Sequence, residues 1–329
     1  MSEIIILVIA LTILFEISNG WNDSANAIAT VVSTRVLSPL QAIVLAAAMN
    51  VLGAFFSTAV AKTIGEGIVS PGAVTHTVVV IALAVSFLWN AAMTRVGMPI
   101  SCSHALIGAL MGSSMAFGGY GILNVAGLKK IFLSLLVSPV VGLIAGFIVM
   151  RLLLLIFGRL PHGTVNRWFG KLQMISAALM GFSHGSNDAQ KGMGIITLAL
   201  VSCGMLHSVR VPWWVIVVCA LAIGTGTAVG GWRVIRTLGL NILKLEPVHG
   251  FAAETSAAAT IMVSSHFGLP VSTTHVITTA IMGVGSTKRL TAVRWGIASK
   301  ILMAWIFTLP ACFGSGWLAM WLVLRLTPH

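Results

Sequence analysis

Apolar residues in this chain fall in long blocks, at about 3–17, 40–61, 74–96, 99–117, 130–157, 171–182, 212–230, 250–267, 270–285 and 296–325. A helix needs about 20 apolar residues to cross the hydrocarbon core of a bilayer. Lipid offers no hydrogen-bond partners, so each block predicts a helix that satisfies its own backbone. The first and sixth blocks run on into polar, helix-compatible sequence. The fourth and ninth are short and rich in Gly, Ser and Thr, and begin at Pro99 and Pro270. Proline is tolerated at the first helical position, where its missing N–H costs nothing. These two blocks therefore predict short or re-entrant helices opening at the prolines.

The pattern repeats. Residues 19–30 read NGWNDSANAIAT and residues 184–197 read HGSNDAQKGMGIIT. Further on, 97–104 read GMPISCSH and 268–275 read GLPVSTTH. Each half has the same order: an Asn-Asp motif, two apolar spans, a G-x-P-x-S-x-x-H turn and a last span. Gly20 and Gly185 precede the Asn-Asp pairs and predict a helix that opens there. The expected architecture is an all-α integral membrane protein of two repeats of about five membrane segments each, with broken or short re-entrant helices at mid-membrane. Residues 1–157 and 171–329 form the repeats, and 158–170 form a short cytoplasmic linker within one transport domain.

Five crossings per half would place the second half upside down relative to the first, a common transporter plan with its binding site at the repeat interface. Charge supports that orientation. With the N-terminus outside, Arg35, Arg95, Arg159, Arg167, Lys171, Arg233, Arg236, Lys244, Lys288, Arg289 and Arg294 face the cytoplasm, and only Lys62, Lys129, Lys130, Arg210 and Arg325 face out. Basic residues concentrate on the cytoplasmic side of membrane proteins.

Composition agrees: 57% of the 329 residues are hydrophobic and 8% charged. Soluble domains carry about 25% charged residues, so this chain cannot cover a water-facing surface. The net charge of +12 sits in short loops as a topology signal, which argues against a nucleic-acid partner. Cys102, Cys203, Cys219 and Cys312 stand singly and suggest packing residues, with no zinc or redox pair. The first block lacks a basic flank and a small-residue cleavage site, so it is expected to be a retained helix.

Acids are scarce, only Glu3, Glu16, Asp23, Glu66, Asp188, Glu246 and Glu254. A carboxylate at membrane depth costs about 2.5–3.5 kcal/mol and persists with a cationic partner. Asn22-Asp23 and Asn187-Asp188 thus predict a pair of cation sites built from hard oxygen donors. Glu254 is either a coupling or gating carboxylate or one paired with a base at the membrane edge. Lys191 is a candidate to balance Asp188 or attract an anion. Asn26 and Gln190 extend the motifs by one turn.

The turns supply complementary chemistry. A helix start presents unpaired N–H groups and about half a positive charge. Ser101, Ser103, Ser272, Thr273 and Thr274 add hydroxyls there, a suitable pocket for a tetrahedral oxyanion. His104 and His275 at matching places either relay protons or pack. A charged oxyanion faces an idealised desolvation penalty of about 20 kcal/mol. Helix-end donors do not offset that alone, so cations at the Asn-Asp motifs would travel with the anion. Gly181-Phe182-Ser183-His184-Gly185 fits the nucleophile-elbow pattern, but an apolar helix precedes it where that motif requires a strand. No enzyme is expected.

NGWNDSANAIATVVSTRVLSP at 19–39 and HGSNDAQKGMG at 184–194 resemble the two signature motifs of the inorganic phosphate transporter (PiT) family. The resemblance extends over nearly the whole chain, including GGWRVIRTLGLNILKLEPVHGFAAETSAA at 230–258. It implies a low-affinity bacterial inner-membrane symporter that takes up phosphate, free or as a metal–phosphate complex, driven by Na⁺ or H⁺ through alternating access. A homodimer is implied too. By resemblance, Asn22, Asp23, Asn187 and Asp188 would hold coupling cations. Ser101, Cys102, Ser103, Ser272, Thr273, Thr274, Asn26 and Gln190 would line the anion site. Cys102 stands where its mate is Thr273, so one hydroxyl is missing and the anion site is not symmetric. Some family members carry sulfate, so a sulfate permease of the same fold is the nearest alternative. An ion channel is the alternative from another class.

The charge pattern makes a direct prediction. A periplasmic-active reporter fused at either terminus should be active, and one inserted at Gly158–Pro161 inactive; the opposite pattern contradicts the orientation.

Overall fold

A computed structural model describes residues 3–287 and 290–326. Lys288 and Arg289, which the charge pattern assigns to the cytoplasm, lie outside these. The first half runs α1 (Glu3–Ser33), α2 (Pro39–Ala54), α3 (Ala59–Gly67), α4 (His76–Val96), α5 (Cys102–Gly118) and α6 (Val125–Phe157). The second runs α7 (His162–Ser202), α8 (Trp213–Val229), α9 (Trp232–Arg236), α10 (Pro247–His266), α11 (Thr273–Ser286) and α12 (Trp295–Leu326).

Among the described residues four helices, α1, α4, α6 and α12, are long and apolar enough to cross a membrane. Two bent pairs pass the same test together: α2 with α3, bent by 70°, and α8 with the segment Trp232–Leu240, bent by 65°. The helices α6 and α12 turn Leu133, Leu136, Val140 and Ile144, and Ile306, Phe307, Leu318 and Leu322, outward. A soluble surface rarely shows so large an apolar face; here it is the face that suits lipid.

The two halves pack reciprocally. Helix α1 lies on α8 and α7 lies on α2, while α5 lies on α12 and α11 on α6. Hydrogen bonds repeat the exchange. Trp305 Nε1–H donates to the Pro99 carbonyl at 3.1 Å, and Ser134 Oγ–H donates to the Pro270 carbonyl at 2.5 Å. Each half thus clamps the other half's proline turn.

Two sequence expectations need correction. The helices do not open at the Asn-Asp motifs, because α1 and α7 run unbroken through Asn22-Asp23 and Asn187-Asp188. Gly20 and Gly185 serve close packing instead. A Cβ on Gly20 would come 2.3 Å from the Ile223 carbonyl oxygen, and one on Gly185 2.1 Å from that of Asn50. The breaks lie in the neighbouring pairs α2–α3 and α8–α9. Nor do α5 and α11 begin at Pro99 and Pro270. Each starts three residues later, at Cys102 and Thr273, behind an extended stretch ending in the capping residues Ser101 and Ser272. Helix α7 also begins at His162, so most of 158–170 is helical.

Alanine normally stabilises a helix interior by about 1 kcal/mol over glycine. At Gly20 and Gly185 the added methyl meets backbone of the next helix, and overpacking costs about 1–3 kcal/mol. Gly20→Ala and Gly185→Ala should each lower the thermal unfolding midpoint in detergent; a raised midpoint would return the glycines to a helix-opening role.

Candidate functional site

Both Asn-Asp motifs lie on long central helices whose polar stretches are buried on every side. Residues 183–200 of α7 are buried without interruption, as is nearly all of 18–31 on α1. Packing of α1 against α7 brings the two carboxylates to one place. His184 stands between them, its Nε2 3.4 Å from Asp188 Oδ2 and 3.8 Å from Asp23 Oδ2. Asp23, His184 and Asp188 each offer a ligand atom within 4.8 Å of the others, a group suited to a cation.

Hydrogen bonds orient the imidazole. Thr227 Oγ1–H donates to the Ile223 carbonyl at 2.9 Å, so it accepts from Asn50 Nδ2 at 2.7 Å. Asn50 Oδ1 then faces His184 Nδ1 at 2.9 Å and accepts its proton. This leaves Nε2 towards two carboxylates, an arrangement that calls for a proton or a bound cation between them. Lys191 supplies one positive charge, with Nζ 2.8 Å from Asp188 Oδ2.

The start of α11 closes the centre from the other side. Thr274 Oγ1–H donates to Asp23 Oδ1 at 3.0 Å, and Thr273 Oγ1–H donates to Asp188 Oδ2 at 3.3 Å. Asn26 Nδ2 donates to the same hydroxyls at 3.0 and 3.3 Å. These hydroxyls open α11, directly behind the extended capping residue Ser272.

The asparagine amides are turned the same way in both halves. Asn22 Nδ2 donates to Thr94 Oγ1 at 2.8 Å and Asn187 Nδ2 to Ser265 Oγ at 2.8 Å. Their carbonyl oxygens, with Asn26 Oδ1 and Asp188 Oδ1, are buried without a partner. Buried acceptors are rarely left so. A set of unpartnered oxygens beside paired carboxylates matches the donor chemistry of a hard cation.

The first-half turn is less engaged. Ser101 Oγ accepts from the His104 N–H at 3.2 Å, as Ser272 Oγ accepts from the His275 N–H at 3.4 Å. Ser103 Oγ–H donates to the Val271 carbonyl at 3.1 Å, tying the two turns together. Cys102 is a buried free thiol. Thus two hydroxyls of the second turn reach the carboxylates, where the first turn offers a thiol and a hydroxyl spent on backbone.

Other candidates have partners of their own. Gln190 Oε1 accepts from the N–H groups of Val60 and Ala61 at 2.8 and 3.0 Å, and its Nε2 donates to the Ser186 carbonyl. It anchors the start of α3. Glu254 accepts from Thr30, Ser176 and Gln173, joining α10 to α1 and α7. His104 and His275 face one another with ring centroids 4.9 Å apart, and His275 stacks on Trp305 at 3.8 Å. Glu16 Oε1 accepts from the Gly192 N–H at 2.7 Å.

Sequence reasoning passed over His184, Asn50 and Thr227. His184 had a signal, since four residues before Asp188 puts both on one helix face. Asn50 and Thr227 had none, because only the reciprocal packing of the halves joins them to the centre.

A model of the Phosphate transporter family matches residues 19–316. A Bacillus subtilis protein named "Probable low-affinity inorganic phosphate transporter" is 43% identical over 97% of this chain and 96% of its own length. One of the same name from Rhizobium meliloti is 45% identical over 92% of this chain and 91% of its own. A solved structure described as "The sodium-dependent phosphate transporter" superposes with a TM-score of 0.91 at 25% identity, covering 99% of this chain and all of that one.

The anchoring of α3 gives a prediction. Gln190→Leu leaves two N–H groups unpaired, at about 1–3 kcal/mol each. The variant should unfold at a clearly lower temperature; an unchanged midpoint would free Gln190 for the anion site.

Proposed function

This chain belongs to the phosphate transporter family, and on that premise we propose that it carries inorganic phosphate inward with a coupling cation. The observation that carries the reading is the buried centre where both Asn-Asp motifs meet the hydroxyls opening α11. Cations sit among Asp23, Asp188, Asn22 and Asn187. Phosphate sits against the helix starts at Ser101–Ser103 and Ser272–Thr274, with Asn26 beside them, once Thr273 and Thr274 exchange carboxylate for anion.

Charge makes the two substrates interdependent. The carboxylates repel phosphate unless cations neutralise them, and phosphate at this depth is costly without nearby positive charge. A cation therefore binds first or together with the anion, and the anion alone is disfavoured. That interdependence is what symport requires.

Alternating access follows from the reciprocal halves. Each proline turn is held by the other half's last helix, so one half rocking on the other moves the walls while the centre keeps its ligands. In the proposed orientation the repeats, 1–157 and 171–329, are inverted in the bacterial inner membrane with both termini outside. The apolar faces leave room for a homodimer. Na⁺ and H⁺ both suit the donor set, as do free phosphate and a metal–phosphate complex. Glu254, His104 and His275 are proposed to hold the moving parts together rather than to contact either substrate.

Asp23→Asn and Asp188→Asn should each abolish coupled phosphate uptake in vesicles at unchanged expression. Normal accumulation by either variant would remove the cation sites from the account. Excess sulfate should leave uptake of labelled phosphate intact; full competition would favour a sulfate permease.

A further inference from the structure

The repeats carry Asn19, Asn22, Asp23 and Asn26 in α1, and His184, Asn187, Asp188 and Lys191 in α7, at identical spacing. The last pair differ in charge. Lys191 Nζ lies 2.8 Å from Asp188 Oδ2, and the side chain is 1% exposed. Asn26, its counterpart, makes no contact of this kind with Asp23. It reaches across to Thr273 and Thr274, and its own Oδ1 is unpartnered. Thus the two halves share the Asn-Asp pair, but one half already holds a positive charge.

We infer that Lys191 is a tethered cation standing in for a coupling ion at the Asp188 half, so that the carboxylate pair takes one exchangeable cation where an uncompensated pair would take two. The inference rests on the cation reading of the Asn-Asp motifs. Two carboxylates carry two negative charges, and the ammonium cancels one of them. Withdrawing it during transport would leave a buried charge unpaired on each partner, which is strongly unfavourable. Its short tether on α7, three residues from Asp188, also keeps it in place. The ammonium therefore stays through the cycle and only the other charge is exchanged. Lysine suits this role because its compact point charge has three donors. It fills the place of a small ion without the planar demand of arginine.

The consequence is a coupling ratio lower by one cation than in a chain with asparagine at this position. Lys191→Asn restores the oxygen donor and opens the second site. Equilibrium binding of radiolabelled Na⁺ to purified protein in detergent, without phosphate, reads this directly. Lys191→Asn should bind one more Na⁺ per chain than the parent, and its unfolding midpoint should rise with Na⁺ but not with choline. Lys191→Ala, purified throughout in high Na⁺, provides a second variant. It should be stabilised by Na⁺ or methylammonium more strongly than the parent is. A folded variant that binds no more Na⁺ than the parent overturns the inference. Loss of fold in both variants at high Na⁺ also overturns it, because a diffusible cation then fails to replace the ammonium. If Asp23→Asn and Asp188→Asn retain coupled uptake, the cation reading itself fails; if they lose it and Lys191→Asn gains no ion, only the present inference fails.

Discussion

The structure depends on two carboxylates buried side by side where α1 crosses α7. Bringing like charges together away from water is costly, and much of the surrounding architecture offsets that cost. His184 stands between them, Lys191 pairs with one, and the threonines opening α11 donate to both. Asp23 comes from α1, Asp188, His184 and Lys191 from α7, and the threonines from the start of α11. The centre therefore forms only when the two halves are packed together, and a chain that buries this centre also fixes the relation of its repeats.

That centre explains features that otherwise look like defects. The Oδ1 atoms of Asn22, Asn26, Asn187 and Asp188 have no partner, and a buried thiol stands where the repeat puts a threonine. In a static core the unpartnered oxygens would be uncompensated losses. In a site that takes up a cation and then an oxyanion, free acceptors are needed for the first and released hydroxyls for the second. The near-symmetry of the repeats supplies two similar frames, and the departures at Cys102 and Lys191 make them chemically unequal.

Much of this was legible in the residues. The apolar blocks fall on helices, and the duplicated Asn-Asp and proline-turn motifs fall on α1 and α7 and just before α5 and α11. Asp23, Asp188, Thr273, Thr274, Asn26 and Lys191 do converge. The misplaced element was the helix break. Glycine before Asn-Asp reads as a point of opening, but at Gly20 and Gly185 a neighbouring helix backbone occupies the space of a side chain. That contact is tertiary, and glycine looks the same in either role. Gln190 is similar. Its spacing puts it one turn after Asn187 near the anion donors, while the bend between α2 and α3 presents two free N–H groups that claim its oxygen. Asn50 escaped notice because its link to His184 crosses from one half to the other.

In the proposed division of labour, cations at the carboxylates make room electrostatically for phosphate at the helix starts. This claim is most directly tested by phosphate uptake into proteoliposomes containing only the purified chain. Na⁺ and pH gradients should be imposed separately, with the membrane potential clamped at zero. The account predicts that one of the two inward gradients drives phosphate above its external concentration, and that dissipating it releases the accumulated phosphate. Simple equilibration of phosphate, indifferent to both gradients, would contradict it.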